Sequence, residues 1–236
     1  MINYKKTQTF YGRVGEWLKI IMMVIVIMGV GRVILREGRI NWKGAGKYLL
    51  NSLYGSPPLV MEGGDPYVRA LMRTISFSES NYPNPYHVIY GGRYVKDLSR
   101  HPNLCVEIES GPNRGKCTTA SGRYQFLNTT WQEKAAKYHP HPSKFLFWKE
   151  YSFEPEYQDL VLYNWLTDKT AWGEDIPQLL REGEIDRVLK ILSPIWTSLG
   201  YGIEDNSMTK YLPQVYQRFL REELIRQEKS SYRQRT

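Results

Sequence analysis

The sequence Val68-Arg69-Ala70-Leu71-Met72-Arg73-Thr74-Ile75-Ser76-Phe77-Ser78-Glu79 carries the period of a helix. Val68, Leu71, Met72 and Ile75 recur at three- and four-residue spacing, which makes one apolar stripe. Asp65-Pro66 opens it: Asp accepts from the free N–H groups of a first turn, and Pro at the first helical position loses no bond. Four residues beyond Ile75 the stripe arrives at Glu79, just before Ser80-Asn81-Tyr82-Pro83-Asn84-Pro85 ends the helix. Apolar surroundings and the negative end of the helix dipole both favour a protonated carboxyl there, which is what a general acid requires. The plainer reading is a solvated Glu at a frayed helix end, and the helix alone leaves both open.

The chain has 236 residues and a net charge of +8, and that charge is unevenly placed. Residues 1–60 hold nine Lys/Arg against two acids and residues 218–236 six against three, so the stretch between is slightly acidic. Basicity confined to the ends argues against nucleic-acid binding. Residues 20–31 contain no charged residue, and with Lys19 and Arg32 snorkelling, residues 17–35 approach the roughly 20 that a spanning helix needs. No small-x-small pair follows promptly, so an uncleaved signal anchor is expected over a cleaved signal. Lys and Arg flank both sides of this segment, and the positive-inside rule gives no orientation.

The expected organisation is a basic segment over 1–16, a transmembrane anchor over 17–35, a linker over 36–64, a catalytic domain over 65–226 and a flexible basic tail over 227–236. The linker reading rests on Gly55, Ser56-Pro57-Pro58 and Gly63-Gly64, with one short amphipathic helix near 42–53. Beyond Glu79, residues 86–95 read as a hairpin around Gly91-Gly92, and residues 105–119 as a second reversal around 110–115. Helices follow over 129–138 with Asn128 as cap, over 156–166 and 178–181 opened by Pro155 and Pro177, over 184–192 after Gly183, and from Ser207 past Phe219.

Cys105 and Cys117 sit on opposite arms of the second reversal, which allows a disulfide without excluding free thiols. His139-Pro140-His141 is a weak metal signal, since Pro prevents a shared helical face, and a surface loop is the better reading. Residues 120–127 place Gly122 among polar and aromatic groups at a strand-to-helix turn. There Tyr124 stacks on a sugar face and Gln125 hydrogen-bonds a ligand, or else the loop caps a helix with Tyr124 in the core. Glu107 and Glu109 alternate with Val106 and Ile108 and form the solvent side of a strand.

Taken in order, Ser78-Glu79-Ser80, Tyr86-His87-Val88-Ile89-Tyr90-Gly91-Gly92, Asp97-Leu98-Ser99 with His101-Pro102, and residues 120–125 resemble the phage lambda endolysin family of lytic transglycosylases. The likeness continues through residues 153–159, Gly183-Glu184-Ile185, Ile195-Trp196-Thr197-Ser198-Leu199 and Tyr201-Gly202, so it spans roughly 66–220. It implies an α+β, lysozyme-like fold, mostly helical with a small antiparallel sheet and here preceded by the transmembrane helix. It also implies cleavage of the β-1,4 bond between N-acetylmuramic acid and N-acetylglucosamine, with 1,6-anhydro ends as product. The catalytic residue it implies is Glu79, with Tyr124, Gln125, Tyr201, Tyr86 and Ser99 along the glycan and no cofactor or metal. Residues 138–151 are longer and more aromatic than the family pattern. Hydrolysis needs a second carboxylate, for which Asp97 is the candidate, although Asp97 also suits a cap of the Leu98-Ser99 turn. The expected partners are peptidoglycan strands and, through 17–35, the membrane, for a monomer whose domain is extracytoplasmic (periplasmic side). The contrasting class is a non-catalytic wall-binding module.

Overall fold

The computed structural model describes residues 55–233 except 110, 112, 142, 146, 147 and 202–208, and side chains are described outside 142–149. The expected anchor over 17–35, the helix near 42–53 and the start of the last helix at Ser207 lie outside the described residues. Among the described residues no helix is long and apolar enough to cross a membrane.

The helices are α1 (Pro66–Glu79), α2 (Asn128–Tyr138), α3 (Pro155–Thr167), α4 (Lys169–Trp172), α5 (Ile176–Arg181), α6 (Ile185–Leu192) and α7 (Leu212–Arg233). Among the described residues two antiparallel hairpins accompany them: β1 (Val106–Glu107) with β2 (Cys117–Thr118), and β3 (Ser143–Phe145) with β4 (Trp148–Glu150). The domain is therefore mostly helical with small antiparallel sheets, as expected.

α1 is capped by Asp65, whose side chain accepts from the Tyr67 N–H at 2.9 Å. It packs along α7 and against α3 and α5, so it is buried on nearly every side from Pro66 to Phe77 rather than along one stripe. Its polar residues then need partners inside the domain. Arg69 Nε donates to Glu223 Oε2 at 2.8 Å, Arg73 Nη1 to Glu223 Oε1 at 2.9 Å and Arg73 Nη2 to Glu222 at 2.6 Å. Two arginines one turn apart thus share one fully buried carboxylate of α7. Below them, Phe126, Trp131, Phe153, Trp165 and Trp196 form an aromatic core, with Trp131 and Phe153 edge to face at 4.7 Å.

Residues 55–64 are not a linker. Ser56, Leu59 and Met61 are buried, and the segment lies as a strap whose backbone is satisfied by buried side chains. Arg123 donates to Ser56 Oγ at 2.7 Å, to the Pro58 carbonyl at 3.1 Å and to the Pro57 carbonyl. Asp159 Oδ2 accepts from the N–H groups of Val60 and Met61 at 2.8 and 3.1 Å. Arg69 reaches the carbonyls of Met61 and Gly63 at 3.0 and 2.8 Å, and Arg73 that of Ser56 at 2.9 Å. A segment punctuated by Pro and Gly makes no ladder of its own, and its backbone groups are paired this way instead.

Three other expectations change. The reversal over 86–95 forms two 3-10 turns (Pro85–His87 and Tyr90–Gly92) and the single bridge Val88↔Tyr94, because Gly91 and Gly92 both take positive φ and turn the chain before a ladder can extend. Asn128 is the first residue of α2, not its cap; its N–H is met by Thr119 Oγ1 at 3.0 Å. The tail is helical to Arg233, since Arg, Glu, Leu, Gln and Lys over 218–229 are strong helix formers.

Cys105 and Cys117 form a disulfide across the β1–β2 hairpin. His139 is buried rather than on a surface loop: its Nδ1 accepts from the His141 N–H at 3.1 Å and its Nε2 lies 3.2 Å from the Ser152 carbonyl. His101 repeats the arrangement, with Asn103 N–H at 3.1 Å and the Phe126 carbonyl at 2.8 Å. The neutral Nε2–H tautomer satisfies both bonds in each ring, which leaves no nitrogen of His139 for a metal.

Burial holds the pKa of both histidines below the ordinary value. As pH falls through about 6.5 the unfolded chain therefore binds protons before the folded one. Stability is full above that pH and is expected to decline below it, down to the depressed folded values. Melting curves between pH 7 and pH 5 check this: the His101→Gln, His139→Gln double variant should show a shallower fall, and an identical fall would refute it.

Candidate active site

Glu79 closes α1 at a half-buried position, and the residues on either side of it fix the chain. The Ser80 N–H donates to the Ser76 carbonyl at 2.8 Å, and Ser80 Oγ donates to the Arg123 carbonyl at 2.5 Å. Ser78 Oγ lies 3.0 Å from the carbonyl and 2.8 Å from the hydroxyl of Ser198. Ser198 Oγ in turn donates to Glu79 Oε1. Ser198 sits in the 3-10 turn Thr197–Leu199, whose entry is pinned by Trp196 Nε1 donating to the Tyr124 carbonyl at 2.9 Å. That hydroxyl fixes the orientation of the Glu79 carboxyl at the end of α1. Ser198 was missed as a site residue in the sequence. Its only signal was its place in the stretch Ile195-Trp196-Thr197-Ser198-Leu199.

The loop behind Glu79 is shaped by Gly122 (φ 75), where a Cβ would fall 2.7 Å from Phe153 Cζ and into the Gln158 amide. That close approach lets Gln158 Oε1 accept the Arg123 N–H at 2.9 Å, while its Nε2 donates to the Tyr86 and Phe153 carbonyls. Arg123 itself is buried, and its Nη1 donates to Tyr86 Oη at 2.8 Å.

Of the residues expected along the glycan, Tyr124 and Tyr86 do not reach solvent: they are 0% and 5% exposed. Their hydroxyls both donate to Asp159, at 2.5 Å from Tyr124 and 2.8 Å from Tyr86, and burial pushes both phenol pKa values upward. They are corrected to core residues that hold the strap and the loop. Burial pushes the Asp159 carboxyl upward too, against the pull of Arg123 and of its hydrogen-bond donors. Gln125 is half-buried in a left-handed conformation (φ 49), and its Nε2 donates to the Gly122 carbonyl at 2.9 Å. Tyr201 is exposed, also at positive φ (63), with its hydroxyl donating to Asp186 at 2.9 Å. Ser99 and Asp97 are exposed, and Asp97 Oδ1 accepts the Ser99 N–H at 2.9 Å. Those bonds from Ser99 hold the Asp97 carboxyl below its usual range. Asp97 thus caps its turn.

The family model described as Endolysin matches residues 69–221. The chain belongs to the endolysin family. A curated relative, the Endolysin of Escherichia phage P2, is 31% identical over 152 residues, covering 59% of this chain and 83% of the relative. Among solved structures, bacteriophage lambda lysozyme complexed with a chitohexasaccharide is 24% identical at a TM-score of 0.49, over 67% of this chain and 97% of that one. Another structure of lysozyme from bacteriophage lambda is 21% identical at 0.47, over 69% and 97%. The matched span of this endolysin runs from Arg69 in α1 to Arg221 in α7, and so includes Glu79, Arg123, Asp159 and Ser198. The activity class of an endolysin is peptidoglycan degradation.

Proposed function

We propose that the domain is a lytic transglycosylase that cuts the β-1,4 bond between N-acetylmuramic acid and N-acetylglucosamine, with Glu79 as its one acid and base. The Glu79 carboxyl gives its proton to the glycosidic oxygen as the bond from C1 breaks. The resulting carboxylate then takes the proton of the muramoyl C6 hydroxyl as that oxygen closes on C1. The products are a free 4-hydroxyl and a 1,6-anhydro ring, and Glu79 ends protonated as it began. The observation that carries this reading is the contrast between two carboxylates. Glu79 is half-buried and oriented by Ser198, whereas Asp97 is exposed and already engaged with Ser99. A retaining or inverting hydrolase needs its second carboxylate at about 5–9.5 Å, aimed at the sugar or its water. Gln125 and Tyr201 remain the glycan contacts in this reading, with Ser99 at its exposed edge.

Mass spectrometry of the fragments released from peptidoglycan tests it. Products one water lighter than the hydrolytic ones are expected, and Asp97→Asn should cleave within about twofold of the parent, as exposed substitutions do. Reducing ends together with loss of activity in Asp97→Asn would make the enzyme a muramidase instead.

We also place the domain outside the cytoplasm, tethered through residues 17–35. The supporting feature is the Cys105–Cys117 disulfide, which suits an oxidising compartment. Fractionation of a tagged full-length chain checks this, and a shortened soluble product would overturn the uncleaved anchor.

A further inference from the structure

Two tyrosines outside the residues so far assigned stand open just beyond the end of α1. Tyr82 follows it by three positions, in a turn closed by its N–H donating to the Ser80 carbonyl at 2.7 Å. Its ring meets that of Tyr94 edge to face, with centroids 6.3 Å apart and planes at 83°. Both remain solvent-exposed, at 40% and 52%. Tyr94 is bridged to Val88, and the adjoining Ile89 is bridged to Ser121, which ties the pair to the loop of Gly122 and Gln125. Gly92 (φ 81) lies beneath Tyr82: a Cβ there would fall 2.5 Å from the phenol oxygen and 3.1 Å from Cζ. The missing side chain lets the phenol rest on backbone and sets the direction of its ring.

Aromatic rings left in water at fixed mutual geometry bring nothing to the core, and such a patch is available to a ligand. The C–H face of a pyranose is the matching surface, and the phenol edges stay wet beside its hydroxyls. We propose that Tyr82 and Tyr94 form an aromatic platform for one N-acetylhexosamine ring of a bound glycan strand. This rests on the reading of Glu79 as the cleaving residue, since the platform continues from the end of α1.

The test uses the full-length chain carrying Glu79→Gln, with chitohexaose as probe and calorimetry for affinity. Tyr82→Ala and Tyr94→Ala are each expected to weaken binding about 3–10-fold, the range of an aromatic contact, and Tyr82→Phe to stay within about twofold. Gly92→Ala displaces the Tyr82 ring, so it should weaken binding in the parent and add nothing in Tyr82→Ala. Unchanged affinity in both alanine variants overturns the platform, as does an equal loss in Tyr82→Phe, which keeps the ring. Binding is measured apart from cleavage: if Glu79→Gln still cuts, the catalytic reading falls while the platform is judged on affinity alone. A parent chain that binds no hexasaccharide overturns both.

Discussion

Glu79→Gln is expected to slow peptidoglycan cleavage by about 10²–10⁴-fold, the range that a positioned acid–base group contributes. The substitution removes the transferable proton and keeps an acceptor for Ser198. The Gln side chain has the shape of Glu, and its amide oxygen still accepts from Ser198 Oγ. Ser78 and Ser80 continue to hold the end of α1 on Ser198 and Arg123. The melting temperature should therefore stay within about 2 °C, since the change is worth about 0.5 kcal/mol or less. Rates of fragment release and a thermal melt on the same preparation decide it. Cleavage within tenfold of the parent would remove Glu79 from the chemistry, and a large drop in melting temperature would turn the lost activity into a folding effect.

Asp159→Ala is expected to have the largest effect on stability, about 3–5 kcal/mol, the cost of breaking a buried charge network from one side. Against a typical total of 5–15 kcal/mol this lowers the melting temperature by about 10–15 °C. The carboxylate accepts from Tyr124, Tyr86, Val60 and Met61, so its loss takes the acceptor from two buried phenols and from the Met61 N–H, while the Val60 N–H keeps Tyr86 Oη at 3.0 Å. Arg123 stays buried beside them without its counter-charge. Asp97→Ala is the matched control, with a melting temperature expected to stay close to the parent's because that carboxylate is exposed. The same argument separates two truncations. A chain begun at Tyr54 keeps the strap and should melt cooperatively; one begun at Asp65 takes the strap partners from Arg69, Arg73, Arg123 and Asp159 together and should not. A cooperative melt of the shorter chain at the temperature of the longer one would show that the strap is dispensable.

The helical frame was legible because its signals are local. Asp65-Pro66, Pro155, Pro177 and Gly183 mark starts and stops within one turn of where they act, and the stripe from Val68 to Ile75 needs no distant partner to be read. Glu79 could be singled out for the same reason. What was misread is what remote partners decide. Pro57-Pro58 and Gly63-Gly64 have the composition of a tether, and Arg123 and Asp159, far along the chain, join Arg69 and Arg73 in making that segment part of the core. Nothing near Arg69 and Arg73 in the sequence marks them as buried, and α7 supplies their partner Glu223. Tyr124 offered a ring for a sugar face and Tyr86 came with the family resemblance, yet both rings are buried and their hydroxyls are consumed by one carboxylate. Ser198 has no mark of its own beyond the stretch that contains it; the turn after Trp196 brings it to Glu79.

The strap also bears on the order in which a growing chain can finish. Its N–H groups wait for Asp159, which follows Val60 by 99 residues, and the arginines of α1 wait for Glu223, which follows Arg69 by 154. At about 5–20 residues per second that second interval is roughly 10–30 s of synthesis. The first helix of the domain to be made is thus among the last to be completed, and until α7 emerges Arg69 and Arg73 must stay in water or on a chaperone.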